Sequence, residues 1–301
     1  MNPVLMIFMD GVGIGKEDYE NNPFFRYGFK TFTNLLGDLP SDKKQIIANN
    51  GFYLTPVDAT LGVEGFPQSG TGQTSIFCGI NAAKYIGKHY GPYPYSTLIP
   101  VIKEKNIFAW YFSRGKKCIF ANAYPRVFFE YLASGKSRLS VTSLSCRLTG
   151  IRLNRSSDVR KGKALTAEIT NQRWDRKLGY NLPVIKAATA ARRLIRIAAK
   201  NDFTLYEYFL TDHLGHGRYD DDIVTTMQTL DDFLFTILNE IDKSVFTVVI
   251  CSDHGNFEDL SCKTHTYNPS IFFTAGKFAG EISGKVNDLT QIKDAITGIS
   301  E

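Results

Sequence analysis

The sequence lacks the features that mark membrane-inserted or repetitive proteins. None of its apolar runs reaches the roughly 18 residues that a membrane-spanning helix needs. Its start, MNPVLMIFMDGVG, has neither the basic n-region nor the small-residue cleavage site of a signal peptide. No internal repeat or low-complexity segment interrupts its 301 residues. We therefore expect a cytoplasmic protein that does not enter a membrane.

Cysteine and histidine are scarce, with five residues of each type. The cysteines are scattered along the chain and form no CxxC pair: Cys78, Cys118, Cys146, Cys251 and Cys262. Their odd number and wide spacing argue against a disulfide framework and against a cysteine-type zinc site. Any metal ion would therefore be held by oxygen and nitrogen atoms.

Acidic residues are rare in one long segment. Residues 96–200 contain 22 Lys and Arg residues but five Asp and Glu residues, a balance of +17. The rest of the chain has 13 basic and 25 acidic residues, a balance of −12. Such asymmetry suggests regions with different roles. We predict that residues 96–200 are a basic inserted cap or lid, and that residues 1–95 and 201–301 form a discontinuous catalytic core.

Three short apolar runs, each ending in an acid, predict strands. VLMIFMD ends at Asp10, FTLYEYFLTD at Asp212 and VFTVVICSD at Asp253. Uninterrupted apolar runs of this length suit strands that are buried on both faces, as in parallel sheets. Apolar residues at spacings of three and four between 223 and 241 predict a helix. The alternation predicts an α/β fold with a doubly wound, mostly parallel sheet and an inserted smaller cap domain.

Acids and imidazoles cluster after these predicted strands, where ligands of such sheets bind. Six candidate metal ligands lie at strand ends or in adjacent loops: Asp10, Asp212, His216, Asp253, His254 and His265. Mixed carboxylate and imidazole sets suit Zn²⁺ or Mn²⁺. Six ligands are too many for one such ion, so we expect two divalent metal ions per chain. A pair of ions can clamp the attacking and leaving oxygens of a phosphoryl transfer.

A two-metal site of this kind needs a nucleophile, and GFPQSGTGQTSIFCGINA offers hydroxyls. Ser69 lies between Pro67 and the predicted turn GTGQ, before a predicted helix. A helix N-terminus presents N–H groups that suit phosphate oxygens. The alternative is that Ser69 is not the nucleophile and only caps the helix, a position that serine favours. Thr71 and Thr74 are rival hydroxyls.

The order of these motifs resembles the alkaline phosphatase superfamily. MDGVG, Ser69 followed by GTGQ, DHLGH, SDHGN and THTYNP are most similar to the branch of cofactor-independent phosphoglycerate mutase and phosphopentomutase. The resemblance covers about the first 95 and the last 100 residues, and it implies an alkaline phosphatase-like core with Ser69 as the nucleophile. Gln73 departs from it, because the branch has His there. The implied ligands of one ion are Asp10, Ser69, Asp253 and His254, and those of the other are Asp212, His216 and His265.

The predicted function is therefore two-metal phosphoryl transfer from an anionic phosphorylated small molecule. We favour a phosphatase or phosphodiesterase that acts on a small metabolite. One alternative is a phosphomutase similar to the two mutases of that branch. Another is a nucleic-acid-binding protein that uses the basic insertion, although no RNP, helix-turn-helix or finger pattern is found. Four cations are candidate substrate contacts: Lys84, Lys88, Arg126 and Arg173.

Overall fold

The computed structural model describes residues 2–136, 138–218 and 222–301. The strands in these residues are β1 (Val4–Met9), β2 (Ile47–Asn49), β3 (Phe52–Val57), β4 (Cys118–Phe120), β5 (Ala123–Tyr124), β6 (Asn154–Arg155), β7 (Phe203–Tyr208), β8 (Thr247–Cys251) and β9 (Ser270–Gly276). Short 3₁₀ turns lie at Ser96–Leu98 and Leu289–Gln291.

The α-helices of the described residues follow in chain order. They are α1 (Pro23–Tyr27), α2 (Lys30–Leu35), α3 (Ser69–Cys78), α4 (Ala82–Ile86), α5 (Ile99–Lys105), α6 (Ile107–Ser113), α7 (Arg126–Ala133), α8 (Val141–Thr149), α9 (Ser156–Arg160), α10 (Gln172–Leu178), α11 (Ala187–Ala198), α12 (Leu210–Gly215), α13 (Ile223–Glu240), α14 (Ala279–Ser283) and α15 (Ile292–Gly298). None of them is long and apolar enough to cross a membrane.

A seven-stranded sheet with the order β2-β3-β9-β8-β1-β7-β4 forms the centre of the molecule. β1 pairs in parallel with β7 and β8, and β4 pairs in parallel with β7, whereas β9 runs antiparallel to β8 and β3. β1, β7 and β8 are buried at every position, which explains why their sequences are continuously apolar rather than alternating. The predicted α/β fold with a mostly parallel sheet is confirmed.

Both faces of the sheet are covered by helices, and β1 divides its side chains between them. Leu5 and Ile7 point into a core shared with α2, α11 and α13. Met6 and Phe8 point into a second core, shared with α3, α5, α6, α8 and α15. This alternation within one buried strand follows from the two-residue period of the β conformation.

Several elements of the basic segment 96–200 lie within these layers. β4 is the edge strand of the main sheet, where Cys118 is in register with Phe203. α5, α6 and α8 contribute side chains to one core and α11 contributes to the other. A small separate cluster around Trp174 unites β5, α9 and α10. Residues 96–200 differ from the rest of the chain more clearly in composition than in packing. That they form a separate cap domain stays a prediction.

Two local expectations from the sequence differ from the structure. β7 ends at Tyr208, so Asp212 lies in the first turn of α12 and not at the end of a strand. The apolar run continues through Phe209 and Leu210, and it therefore hides the change from strand to helix. GTGQ forms the first turns of α3 rather than a separate turn. Glycine is required there by space, since a Cβ on Gly70 would lie 2.3 Å from the carbonyl oxygen of Tyr93.

Candidate metal centre and active site

The sheet brings the candidate ligands to one edge. Asp10 directly follows β1, and Asp253 and His254 follow β8, the parallel neighbour of β1. α12 follows β7, the other parallel neighbour, and carries Asp212, with His216 directly after it. Since the carboxyl ends of parallel strands meet at the same edge, residues that are about 200 positions apart in sequence converge there. Ser69 at the start of α3 and His265 before β9 complete the set.

Asp212, His216 and His265 form one cluster. The Nδ1–H of His216 donates to Lys263 O at 2.8 Å, and that of His265 donates to Pro67 O at 2.6 Å. Both Nε2 lone pairs therefore face inward and lie 3.1 Å apart. Asp212 Oδ1 lies 3.3 Å from the first Nε2 atom and 3.6 Å from the second. Tetrahedral zinc with bonds of about 2.0–2.1 Å separates its ligands by roughly 3.3 Å, so this donor set fits such an ion.

Asp10, Ser69, Asp253 and His254 form the second cluster. His254 Nε2 lies 3.0 Å from Ser69 Oγ, 3.4 Å from Asp10 Oδ1 and 3.6 Å from Asp253 Oδ2. Asp10 Oδ1 is buried and has no hydrogen-bond donor among the described residues. A buried carboxylate oxygen without a donor is costly unless a cation neutralises it. The second cluster therefore also fits a metal ion.

The two clusters adjoin each other. The rings of His254 and His265 stack with centroids 3.7 Å apart. Donor atoms of Asp10, Asp212 and His254 lie within 4.8 Å of one another, so Asp212 faces both clusters. Ions in paired metal sites are about 3.5–4 Å apart, and the spacing of the two donor sets is compatible with such a pair.

The pKa values of the carboxyl groups show how strongly the site favours positive charge. Burial raises the pKa of Asp10 well above its ordinary value, and the charges of Asp253 and Asp212 raise it further. Asp212 is also partly buried, but when no metal ion occupies the site Nε2 of His216 and of His265 can be protonated, and their hydrogen bonds to Asp212 hold its pKa well below the usual range. The edge concentrates negative charge that these imidazoles alone balance only in part.

Gln73 stands where the mutase branch has His, and it lies inside the second cluster. Its Nε2 donates to Asp10 Oδ2 at 3.4 Å and to Asp253 Oδ2 at 3.3 Å. The amide thus fixes the orientation of both carboxylates. Because an amide carries no charge, the negative charge of the cluster stays available to a cation.

The three candidate hydroxyls have different environments. Thr71 Oγ1 donates to Gln68 O at 3.1 Å, and Thr74 Oγ1 donates to Gly70 O at 2.6 Å. The hydroxyls of these two threonines therefore donate to backbone carbonyl groups at the start of α3. Ser69 alone among the three points its hydroxyl at a metal-ligand candidate, His254.

The four predicted substrate cations have separate locations. Lys88 lies in a cleft that is also lined by Gln68, the residue before Ser69, and Arg173 of α10 lines a cavity of about 340 Å³ that also includes His213 of α12. Lys84 is exposed on α4, and no contact between it and the site is described. Arg126 is exposed at the start of α7 and pairs with Glu130 at 2.6 Å. Lys88 and Arg173 thus line cavities, whereas Lys84 and Arg126 are exposed on their helices, and a substrate contact of any of the four stays a prediction.

Sequence reasoning missed Glu258, a buried carboxylate that connects the loops of both clusters. Its Oε2 accepts from Gly13 N and Asn256 N, both at 2.8 Å. Its Oε1 accepts from Thr266 Oγ1 at 2.5 Å and from Asn268 Nδ2 at 3.0 Å. The loops after β1, after β8 and before β9 are therefore tied to one side chain. The close spacing of polar residues in SDHGNFED was the available signal.

Asn256 was also missed, although it lies in the same motif. Its Nδ2 donates to Asp212 Oδ1 at 2.7 Å and to Asp212 O at 3.3 Å. Gly215 is needed opposite it, because a Cβ there would lie 2.4 Å from Asn256 Oδ1. Asn256 therefore links the two clusters by orienting Asp212 from the loop that carries His254.

Residues 178–298 match the Metalloenzyme superfamily. This segment contains five of the seven predicted ligands: Asp212, His216, Asp253, His254 and His265. No curated protein gives a significant match.

Two solved structures share the fold at low sequence identity. The PH0037 protein from Pyrococcus horikoshii is 13% identical with a TM-score of 0.54, and the match covers 92% of this chain and 86% of that chain. The alkaline phosphatase from the Antarctic bacterium TAB5 is 13% identical with a TM-score of 0.53, covering 100% of this chain and 99% of that one. The shared fold and the family match support the resemblance to the alkaline phosphatase superfamily that the motifs indicate. Similarity to the mutase branch stays a prediction.

The position of Glu258 generates a prediction. Glu258→Gln should lower the free energy of unfolding by about 1–3 kcal/mol, because an amide NH₂ group would face N–H or O–H donors. It should also weaken metal binding, since the loops of both clusters lose a common anchor. Thermal unfolding with and without added Mn²⁺ or Zn²⁺, together with metal titration, would measure both effects.

Glu281→Gln is the matched control, because Glu281 is exposed and pairs with Lys285 on the surface of α14. It should change neither quantity appreciably. Unaltered metal affinity in Glu258→Gln would show that the loops hold their geometry without this carboxylate.

Proposed function

We propose that the protein is a two-metal phosphoryl-transfer enzyme with Ser69 as its nucleophile, acting as a phosphatase or phosphodiesterase on a small phosphorylated metabolite. One observation carries the proposal: Ser69 Oγ lies 3.0 Å from His254 Nε2, inside a cluster of buried carboxylates and imidazoles. A serine that only capped a helix would not need this environment. The metalloenzyme match of residues 178–298 supports the same conclusion.

Asp10, Ser69, Asp253 and His254 would hold one ion, and Asp212, His216 and His265 the other. Two bound divalent ions would supply positive charge that lowers the pKa of the serine hydroxyl and offsets charge on the transferred phosphoryl group. Gln73, Asn256 and Glu258 would keep the ligands in place. The donor chemistry suits Zn²⁺ or Mn²⁺.

The backbone at the start of α3 would bind phosphate oxygens. Thr71 N–H is already bonded to Tyr90 O at 2.9 Å. The N–H groups of Ser69 and Gly70 have no acceptor among the described residues. Free N–H groups at a helix N-terminus stabilise negative oxygen atoms. They lie next to the serine that would attack.

The reaction would proceed in two displacements. Ser69 Oγ loses its proton and forms a bond to phosphorus, while the bond from phosphorus to the leaving-group oxygen breaks and that oxygen gains a proton. Water then attacks the phosphoserine, releases inorganic phosphate and restores the serine hydroxyl. A phosphomutase would share the first displacement and return the phosphoryl group to a second substrate hydroxyl. The burial of Ser69, Asp253 and His254 is the feature that keeps this alternative open, because a mutase must exclude water.

Metal stoichiometry tests the paired site. Elemental analysis of protein loaded with Zn²⁺ or Mn²⁺ should approach two equivalents per chain, and Asp10→Ala and His265→Ala should each lose about one. His89→Gln is the control, since His89 Nε2 donates to Thr60 O and Val63 O outside both clusters. One equivalent or none in saturated wild-type protein would contradict the proposal.

Substitution of the nucleophile tests the chemistry. Ser69→Ala should fold normally and keep both ions at saturating metal, one of them held less tightly by Asp10, Asp253 and His254, yet turnover of phosphate esters should fall roughly a thousandfold or more. Thr71→Ala and Thr74→Ala should have milder effects, because their hydroxyls serve the helix backbone. Steady-state release of phosphate and mass spectrometry of the trapped phosphoprotein would measure this. Phosphate found on Thr71 or Thr74 would identify that threonine as the nucleophile. An isomerised ester without release of phosphate would identify a mutase.

The position of Lys88 predicts an effect on substrate affinity. Lys88→Gln should raise KM about three- to tenfold at low salt, with a smaller change in kcat, because a cation near the bound anion is removed. The effect should shrink as ionic strength rises. Lys103→Gln, an exposed lysine of α5, is the control. Equal kinetics for both variants would place Lys88 outside the substrate's path.

A further inference from the structure

Two large aromatic side chains are exposed and stacked on each other. The rings of Phe66 and Tyr267 have centroids 4.4 Å apart and an interplanar angle of 30°. Phe66 is 43% exposed and Tyr267 is 58% exposed. An isolated exposed aromatic residue needs no explanation, but a stacked pair keeps flat apolar surface open to water.

The pair lies at the mouth of the candidate active site. Phe66 is three residues before Ser69, and Tyr267 is two residues after His265. With 3.8 Å between successive Cα atoms, their Cα atoms can be at most about 11 Å and about 8 Å from those site residues. The bond from His265 Nδ1 to Pro67 O, at 2.6 Å, joins the two segments directly. The metal-ligand candidate His265 therefore fixes the position of the aromatic pair.

A cleft of about 390 Å³ adjoins Phe66 and Gln68, the residue before Ser69. It is lined by Glu64, Gly65, Phe66, Gln68, Lys88, His89, Tyr90 and Gly91. A Cβ on Gly91 would lie 3.2 Å from Ser69 N, so the floor of the cleft adjoins the backbone of the nucleophile.

The two walls of this cleft are held together by His89. Its Nε2 donates to Thr60 O at 3.1 Å and to Val63 O at 3.2 Å. The segment that carries Phe66 is therefore anchored to the segment that carries Lys88 and Tyr90. The cleft is therefore a preformed part of the fold. Ligand binding would cost the protein little conformational entropy.

The cleft combines flat aromatic surface with the ammonium group of Lys88, and the carboxylate of Glu64 lines it as well. Lys88 Nζ lies 5.8 Å from the centroid of the Tyr90 ring and 5.5 Å from that of Tyr95. These rings hold the ammonium group by cation–π attraction. A ligand that carries a planar ring and a negative charge matches the aromatic surface and the ammonium group of Lys88.

We propose that Phe66 and Tyr267 form a stacking subsite for the leaving group of the substrate, and that the substrate is a nucleoside phosphate. This inference rests on the proposed function, because it assigns a place to the group that leaves Ser69-bound phosphorus. The base stacks on the open face of the aromatic pair while the phosphate reaches Ser69. The ribose spans the cleft between them.

Matched substrates test the subsite. Adenosine 5′-monophosphate carries a planar base, whereas glycerol 2-phosphate offers the same phosphomonoester without a ring. Tyr267→Ala and Phe66→Ala should each lower kcat/KM for the nucleotide roughly five- to hundredfold, the range that loss of base–aromatic stacking gives. The decrease for glycerol 2-phosphate should be much smaller. Tyr267→Phe should keep nucleotide activity, because the flat ring remains.

Tyr19→Ala is the control for loss of an exposed aromatic ring, since Tyr19 is 64% exposed and packs edge-on against Phe25 instead. It should leave both activities unchanged. If Tyr267→Ala lowers kcat/KM equally for the two substrates and also lowers the metal content, the ring only supports His265. That result would overturn the proposal. Undiminished nucleotide activity in both alanine variants would overturn it as well.

Direct binding separates this inference from the proposed function. Calorimetry with metal-loaded Ser69→Ala protein measures affinity for the same two compounds without turnover. Tyr267→Ala in that background should weaken adenosine 5′-monophosphate binding by a similar factor and affect glycerol 2-phosphate far less. If wild-type protein hydrolyses neither ester but this difference in affinity is found, the function fails and the subsite stands. If nucleotide binding is absent, or insensitive to Tyr267, the subsite fails whatever the enzyme's activity.

Discussion

The accumulation of carboxylates at one edge of the sheet is the constraint to which the rest of the site responds. Parallel pairing of β1 with β7 and β8 places Asp10, Asp212 and Asp253 close together in a region with little water. Their mutual repulsion and burial raise the pKa of Asp10. Protonation would relieve the repulsion, but so would cations held by carboxylate oxygens and imidazole nitrogens. The inward-facing lone pairs of His216 and His265 favour the second solution.

Such a charge cluster has to be rigid, because flexible loops would separate like charges. Glu258 provides rigidity by accepting four hydrogen bonds from three different loops. Those four donors stabilise its carboxylate within the buried loops. Gly255 allows the close approach, since a Cβ there would lie 2.3 Å from Glu258 Oε1. This glycine thus serves spatial fit and not a left-handed backbone conformation.

The sequence predicts the parts of the site that depend on local pattern. Asp10 and Asp253 follow short apolar runs, so their place at the sheet edge could be inferred directly. α12 could not be inferred, because its first residues continue the apolar run of β7. Glu258 also escaped detection, because its role depends on partners such as Gly13, which is 245 residues away in the chain. Contacts of that range leave no periodic signal in the sequence.

The charge asymmetry of the chain does not by itself locate the site where an anion binds. Some of the basic residues in 96–200 are engaged in surface ion pairs. Arg192 of α11, for example, pairs with Glu240 of α13 at 2.7 Å while the apolar face of its helix packs in the core. Exposed pairs of this kind contribute little energy and are screened by salt. Lys88, which lies outside that segment, lines a cleft together with Gln68, the residue before Ser69. The total charge therefore sets a general attraction for anions, whereas individual positions decide where an anion binds.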